Sequence, residues 1–282
     1  MAREHLPPGF VDTVRAVCEP LAARIVGAAR GPGFTVGICG TQASGKSTLT
    51  AVTARLLEAR GLSVAVLSLD DLYLTRAERG ALAAGIHPLL ATRGVPGTHD
   101  VALGLEVLDA LKEASEVALP SFDKAANDRR PTADWPRVQA PVDVILFEGW
   151  CVGARPQPVE ALAAPVNGLE RDEDPDGRWR TYANDALAGP YQDLFSRLDL
   201  FVLLQAPSFE VVLDWRREQE RKLRKRLARE GAAASNAMGD EAVARFIAHY
   251  ERITRWILQE APGRADIVVR LDAQRRPLSA PA

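Results

Sequence analysis

The sequence predicts an α/β fold built on a mainly parallel sheet with helices on both faces. Two observations carry that prediction. Five short apolar runs read as buried strands: FTVGIC (34–39), VAVLSL (64–69), VDVILFEG (142–149), DLFVLLQ (199–205) and ADIVVRL (265–271). Helical patterns alternate with them, and strands apolar on both faces belong to sheets covered on both sides.

The elements follow in order. Residues 10–29 (FVDTVRAVCEPLAARIVGAA) space their apolar positions like a helix, with Pro20 expected to kink or divide it. Gly31-Pro32-Gly33 breaks the chain before the first strand. The glycine-rich turn GTQASGKS comes next, and from Ser47 the stretch STLTAVTARLLEAR reads as a helix ended by Gly61. The second strand stops at Asp70-Asp71. Residues 75–100, with Gly80, Gly85, Gly94, Pro96 and Gly97, read as irregular, and 100–114 as a helix. SFDKAANDRRPTADWP is a polar loop dotted with aromatics. Residues 153–178, rich in Pro, Gly, Asp and Glu, read as an excursion from the core. After the fourth strand, 208–230 is a long charged helix, 240–260 is another helix, and the tail frays from Ala273. No internal repeat or long linker appears, so residues 1–282 are expected to form one domain. Its parts are an N-terminal helical segment (1–33), an excursion (150–180) and a charged region at 208–235.

Composition narrows the function. The 282 residues are 47% hydrophobic and 26% charged, an ordinary globular balance. A formal net charge of −2 argues against a protein held to nucleic acid by phosphate neutralisation. Cys18, Cys39 and Cys151 are too few and scattered for a disulfide framework or zinc cluster, which suits a reducing compartment. No apolar run approaches the ~20 residues of a membrane helix, and MAREHLPPGF lacks signal-peptide character. A cytoplasmic enzyme without nucleic-acid or membrane partners is the expectation; monomer and homodimer both stay open.

The strongest chemical signal is the pattern G-x4-G-K-[ST] at Gly40–Ser47. It lies between a strand and a helix, as a phosphate-binding loop requires. Its residues Gly40, Thr41, Gln42, Ala43, Ser44, Gly45, Lys46, Ser47 and Thr48 are the expected binders of a nucleoside triphosphate, ATP. Glycines let successive N–H groups turn inward, and the helix N-terminus adds about half a positive charge. Lys46 is expected at the β/γ-phosphates and Ser47 at Mg²⁺. The competing reading is a glycine-rich turn without ligand.

Catalytic groups of open α/β sheets gather at the carboxyl ends of strands. Asp70 and Asp71 end the second strand, where a carboxylate can orient an acceptor hydroxyl and take its proton. Glu148 ends the third and sits where an acid contacts Mg²⁺ directly or through water. Helix capping by either aspartate is the plainer alternative. Lys124, Arg129 and Arg130 share one loop with Asp123 and Asp128; they suit a small carboxylate ligand or simply a solvated loop.

GTQASGKST, LSLDDLYLT, GVPGTHD, SFDKAANDRRPTADWP and VILFEGW together resemble the motif series of the D-glycerate 3-kinase family. These are plant- and fungal-type enzymes with bacterial relatives, in the phosphoribulokinase/uridine kinase/pantothenate kinase group of P-loop kinases. WRTYANDAL, WRREQERKLR and MGDEAVARFIAHYERIT extend the resemblance over residues 34–272. It implies a P-loop kinase fold with sheet order 2-3-1-4-5, and ATP- and Mg²⁺-dependent phosphorylation of a small-molecule hydroxyl, with D-glycerate the leading acceptor. It implies Asp70 as catalytic base, also placed near the metal with Ser47 and Glu148. Asp71, Tyr73, His99, Asp100, Lys124, Arg129 and Trp150 become acceptor-pocket candidates. The segment after the fourth strand becomes a lid with Arg216, Arg217, Arg221 and Arg224 as candidates, of which Arg216 and Arg221 are assigned to catalysis. Departures from the family pattern are Leu72 in place of Phe, the short AANDRR, and LERDEDPDGRWR (169–180). Remaining alternatives are another acceptor (a nucleoside, pantothenate, a sugar or another hydroxy acid) and a P-loop nucleotidase working as a switch or chaperone; the absence of an N-K-x-D guanine motif speaks against the last.

Overall fold

Five strands, β1 (Phe34–Gly40), β2 (Val64–Ser68), β3 (Val144–Gly149), β4 (Leu200–Gln205) and β5 (Ile267–Arg270), pair in the order β2-β3-β1-β4-β5. Every pairing is parallel, and the order is the one the resemblance implies. The computed structural model describes residues 10–113, 115–229 and 238–278.

Strand alternation sends Ile38, Leu146 and Val202 to one face of the sheet and Cys39, Phe147 and Leu203 to the other. Both sets are buried in apolar clusters, so neither face meets water. The helix Lys46–Glu58 follows β1 and packs over the first of these faces through Leu49 and Leu57. Register does chemical work here. Glu148, near the end of β3, is flanked by Ile38 of β1 and Ser68 of β2, which puts its carboxylate beside the phosphate loop.

Several local expectations are corrected. Pro20 does not divide the first helix. A π-turn at Val14–Cys18 immediately precedes it, and the Glu19 N–H bonds to the Val14 carbonyl, so the chain re-registers where the proline offers no donor. Residues 75–100 are not irregular throughout: Arg76–Gly85 is a helix. Its start is fixed by a capping box in which Thr75 Oγ1 accepts from the Glu78 N–H and Glu78 accepts from the Thr75 N–H. The stretch 240–260 is two helices, Asp240–Ala248 and Glu251–Glu260, broken at His249-Tyr250. The loop 121–136 is folded on itself, with Phe122–Asp123 pairing antiparallel to Asp128–Arg129.

The excursion at 150–180 is pinned to the body of the protein. Arg252, from the second of those two helices, reaches Glu170 at 2.6 and 2.8 Å, both side chains buried. Arg180 pairs with Asp174 at 3.0 Å. Part of the region 208–235 forms the helix Glu210–Arg229; residues 230–237 and 1–9 lie outside the described residues. Among the described residues, no helix is long and apolar enough to cross a membrane.

Candidate active site

One cleft of about 620 Å³ runs along the carboxyl ends of the strands. Gln42 to Leu49 form its floor, Asp70, Tyr73, Arg93, Lys124 and Trp150 one wall, and residues of the long helix Glu210–Arg229 and of the chain after β5 the other.

The floor is shaped by backbone that few residues adopt. Gly45 has φ 94° and opens the helix, while Ala43 lies at φ 59°. A Cβ on Gly40 would fall 2.8 Å from Ser44 Oγ. Thr41 Oγ1, both amide atoms of Gln42, and Ser44 Oγ are buried with no protein hydrogen-bond partner. Such groups cost free energy unless a ligand satisfies them. A curled loop of donors at a helix N-terminus fits a polyphosphate.

Lys46 enters the cleft 3.9 Å from Glu148 Oε2. Ser47 Oγ donates to Glu148 Oε1 at 2.9 Å, and Ser68 Oγ donates to the same oxygen at 3.1 Å. The other carboxylate oxygen is buried and accepts no hydrogen bond. Two hydroxyls and a carboxylate form an all-oxygen donor set suited to Mg²⁺ held partly through water.

Asp70 stands across from this group. Its Oδ1 accepts from the Tyr73 hydroxyl at 2.8 Å and its Oδ2 from the Lys124 ammonium at 2.6 Å. Burial opposes its charge, but the Lys124 and Lys46 ammoniums and the two hydrogen bonds outweigh that and hold the carboxyl below the usual carboxylate range. Asp70 is therefore ionised and able to accept a proton once a hydroxyl displaces one of its partners.

The other acceptor-pocket candidates divide. Tyr73, Lys124 and Trp150 line the cleft, Trp150 fixed by donating to the Gly94 carbonyl at 2.9 Å. Asp71, His99, Asp100 and Arg129 lie behind that wall. Asp71 accepts from the Phe122 N–H at 3.0 Å, and burial pushes its carboxyl up. Asp100 caps the helix Val101–Ala110 at the Leu103 N–H and pairs with Arg129 at 3.1 Å; Arg129 also donates to the Tyr73 carbonyl. His99 stacks on Tyr73 with ring centroids 4.6 Å apart and hydrogen-bonds Tyr191 at 2.5 Å, and burial pushes its pKa down to about 3. These four hold the loops that carry Tyr73, and an Asp100 N–H to Leu72 carbonyl bond at 2.7 Å completes that clasp.

On the opposite wall Arg216 lines the cleft, held by Glu220 at 2.5 Å and lying 5.6 Å from the Phe246 ring. Arg221, predicted beside it, is exposed and not on the cleft, because five positions along a helix turn a side chain well away from its starting face. Arg217 and Arg224 are likewise not among the lining residues.

Arg93, Tyr250 and Arg275 are among the wall residues that escaped sequence reasoning. Arg93 directly precedes GVPGTHD, one position outside the motif as read. Tyr250 sits at the break between two helices read as one, and donates to the Arg93 carbonyl at 3.1 Å. Arg275 pairs with Glu218 and lies 5.5 Å from the Trp215 ring. The helix break is the signal for Tyr250; the arginines carried no local one.

No protein-family model matches the chain. An uncharacterized kinase of Schizosaccharomyces pombe, mug58, is 34% identical over 232 residues, 77% of this chain and 78% of that protein. The chloroplastic D-glycerate 3-kinase of Arabidopsis thaliana is 29% identical over 265 residues, 88% of this chain and 55% of the plant protein, so the chain spans about half of that relative's length. Among solved structures, a D-glycerate 3-kinase from Cryptococcus neoformans superposes with a TM-score of 0.73 at 26% identity, covering 97% of this chain and 99% of that one.

Proposed function

Because the chain is an ATP-dependent phosphotransferase of the P-loop kinase family that contains the D-glycerate 3-kinases, we propose that it transfers the γ-phosphoryl group of ATP to the 3-hydroxyl of D-glycerate, giving ADP and 3-phosphoglycerate. The observation that carries the chemistry is a single cleft lined both by the phosphate loop and by Asp70. The choice of D-glycerate is supported by the two relatives bearing that name.

In this reading the loop N–H groups and Lys46 cradle the β- and γ-phosphates, and Ser47 and Glu148, with Asp70 near them, hold Mg²⁺. A bound Mg²⁺ ion supplies neutralisation of phosphate charge. Asp70 receives the hydroxyl proton as the acceptor oxygen bonds to the γ-phosphorus and the bridging oxygen leaves with ADP. Tyr73 holds Asp70 in orientation through its hydrogen bond. Arg216 faces the charge spread over the transferring group, where a preorganised cation lowers the barrier.

An ADP-release assay across hydroxy acids, sugars, nucleosides and pantothenate tests the proposal, with Lys46→Ala as the inactive control. D-Glycerate is expected to stimulate ADP release far above the other acceptors. Equal or greater stimulation by a nucleoside or pantothenate overturns the acceptor assignment. Release with no acceptor dependence overturns the transferase reading.

A further inference from the structure

Two guanidiniums meet beside the acceptor wall, and among the described residues neither has a carboxylate within ion-pair distance. Arg79 is 1% exposed, yet no acidic side chain among the described residues lies within ion-pair distance of it; it donates to the Leu74 and Asn127 carbonyls and, at 3.1 Å, to Asn127 Oδ1. Arg93 donates to that same Asn127 Oδ1 and likewise lacks an acidic partner among the described residues. One neutral amide oxygen thus serves two positive charges. The carboxylates of the adjoining loops are committed elsewhere: Asp70 to Lys124, Asp100 to Arg129, Asp123 to Arg130, and Asp128 to the N–H groups of Arg76 and Arg129. Burial and the neighbouring Arg93 charge pull the Arg79 guanidinium below its ordinary range, against the opposing charge of nearby Asp128.

Arg93 is held rigidly for this. Its guanidinium lies 5.5 Å from the Phe122 ring centroid and 6.0 Å from that of Tyr73. Its own carbonyl accepts from Tyr250. Asn127 takes φ 55° to present its side chain, a left-handed conformation that asparagine tolerates better than most residues. Of the two arginines, Arg93 reaches the cleft and Arg79 stands behind it.

Resting on the acceptor reading above, we propose that Arg93 binds the carboxylate of the acceptor, with Arg79 as the second charge behind it, and so selects a short hydroxy acid over uncharged alcohols. Tyr73 sets the length: its hydroxyl touches Asp70 while its ring lies beneath Arg93. An acceptor gripped by its carboxylate at Arg93 presents its hydroxyl to Asp70 across the Tyr73 ring. Guanidinium is the better receptor here because it meets a carboxylate with two parallel donors.

The test compares the wild-type chain with Arg93→Gln and Arg93→Lys, using D-glycerate and glycerol, which keeps the terminal hydroxyl but lacks the carboxylate. Arg93→Gln is expected to raise KM for D-glycerate about 100-fold or more, and so to narrow the preference for D-glycerate over glycerol, with KM for ATP unchanged. Arg93→Lys, which keeps the charge but not the fork, should show a rise of about tenfold; it decides the matter if the glutamine variant does not fold. An unchanged KM for D-glycerate in the folded variants overturns the proposal, as does a parallel loss of glycerate and glycerol turnover. If the wild type ignores D-glycerate, the acceptor assignment fails separately. The arginine proposal then stands if the preferred acceptor bears a carboxylate and its turnover needs Arg93, and falls if that acceptor is uncharged.

Discussion

The ammonium of Lys124 lies 2.6 Å from Oδ2 of Asp70, so the proposed base is occupied by a lysine that is itself 60% exposed. The hairpin Phe122–Arg129 delivers this lysine from a loop 54 positions away in sequence. An acceptor hydroxyl approaching Oδ2 must share the carboxylate with it or displace it.

Asp70→Asn should therefore lower kcat by about 10²–10⁴, the usual contribution of a general base, with ATP binding preserved. Lys124→Ala should cost less turnover, because the base remains, and should change unfolding free energy by no more than about 1 kcal/mol, since the lysine side chain is 60% exposed. Steady-state kinetics and urea denaturation of both variants check this. Equal losses of kcat in the two contradict it.

Lys46 and Ser47 were legible in sequence, and the reason is local: a strand, a turn of fixed spacing and a helix place them without help from elsewhere, whereas Glu148 was read from its strand end and Lys124 from the family resemblance. Sheet order followed from five apolar runs together with the family resemblance, and the structure reproduces it. What escaped reading depends on contacts far along the chain. Arg93 acquires its meaning from Asn127, 34 positions on, and from Tyr250, 157 positions on. The helix Arg76–Gly85 was hidden by its two glycines, although Thr75 and Glu78 carried the cap signature three residues apart. His99 and Asp100 sit in a motif that pointed to substrate, yet the antiparallel bridge between Tyr73 and His99 turns them to bracing the loop.

Arg216 and Arg221 belong to one helix but only the first faces the cleft. Arg216→Ala is expected to reduce kcat about 100-fold or more, while Arg221→Ala, an exposed substitution, should leave kcat within about threefold. Single-turnover measurements at saturating ATP and acceptor distinguish them; a larger loss in the Arg221 variant refutes the placement.

Acid sensitivity should trace to His99. Its folded pKa is pushed down to about 3 by burial, against about 6.5 in an unfolded chain. As pH falls the unfolded chain binds the proton first. The contribution to stability is thus complete above about pH 6.5 and is lost between there and pH 3, by roughly 1.4 kcal/mol per pH unit for this group. His249 is shifted in the same direction by burial and adds to the slope. Urea unfolding of wild type and His99→Gln between pH 7.5 and 5 should show a shallower decline in the variant; identical slopes contradict the assignment.

The buried Arg252–Glu170 pair ties the excursion at 150–180 to the helix Glu251–Glu260. Glu170→Ala leaves the guanidinium without its carboxylate and should cost about 3–5 kcal/mol. The Ala161 and Ala164 carbonyls that Arg252 also holds, at 2.8 and 2.6 Å, should loosen with it. A change below about 1 kcal/mol in urea denaturation would count against a structural pin.

The central claim is transfer of phosphoryl to the terminal hydroxyl of D-glycerate. Phosphorus NMR of a reaction containing this chain, ATP, Mg²⁺ and D-glycerate reads the product directly. The account predicts 3-phosphoglycerate accumulating in step with ADP; inorganic phosphate instead, or phosphate on the 2-hydroxyl, contradicts it.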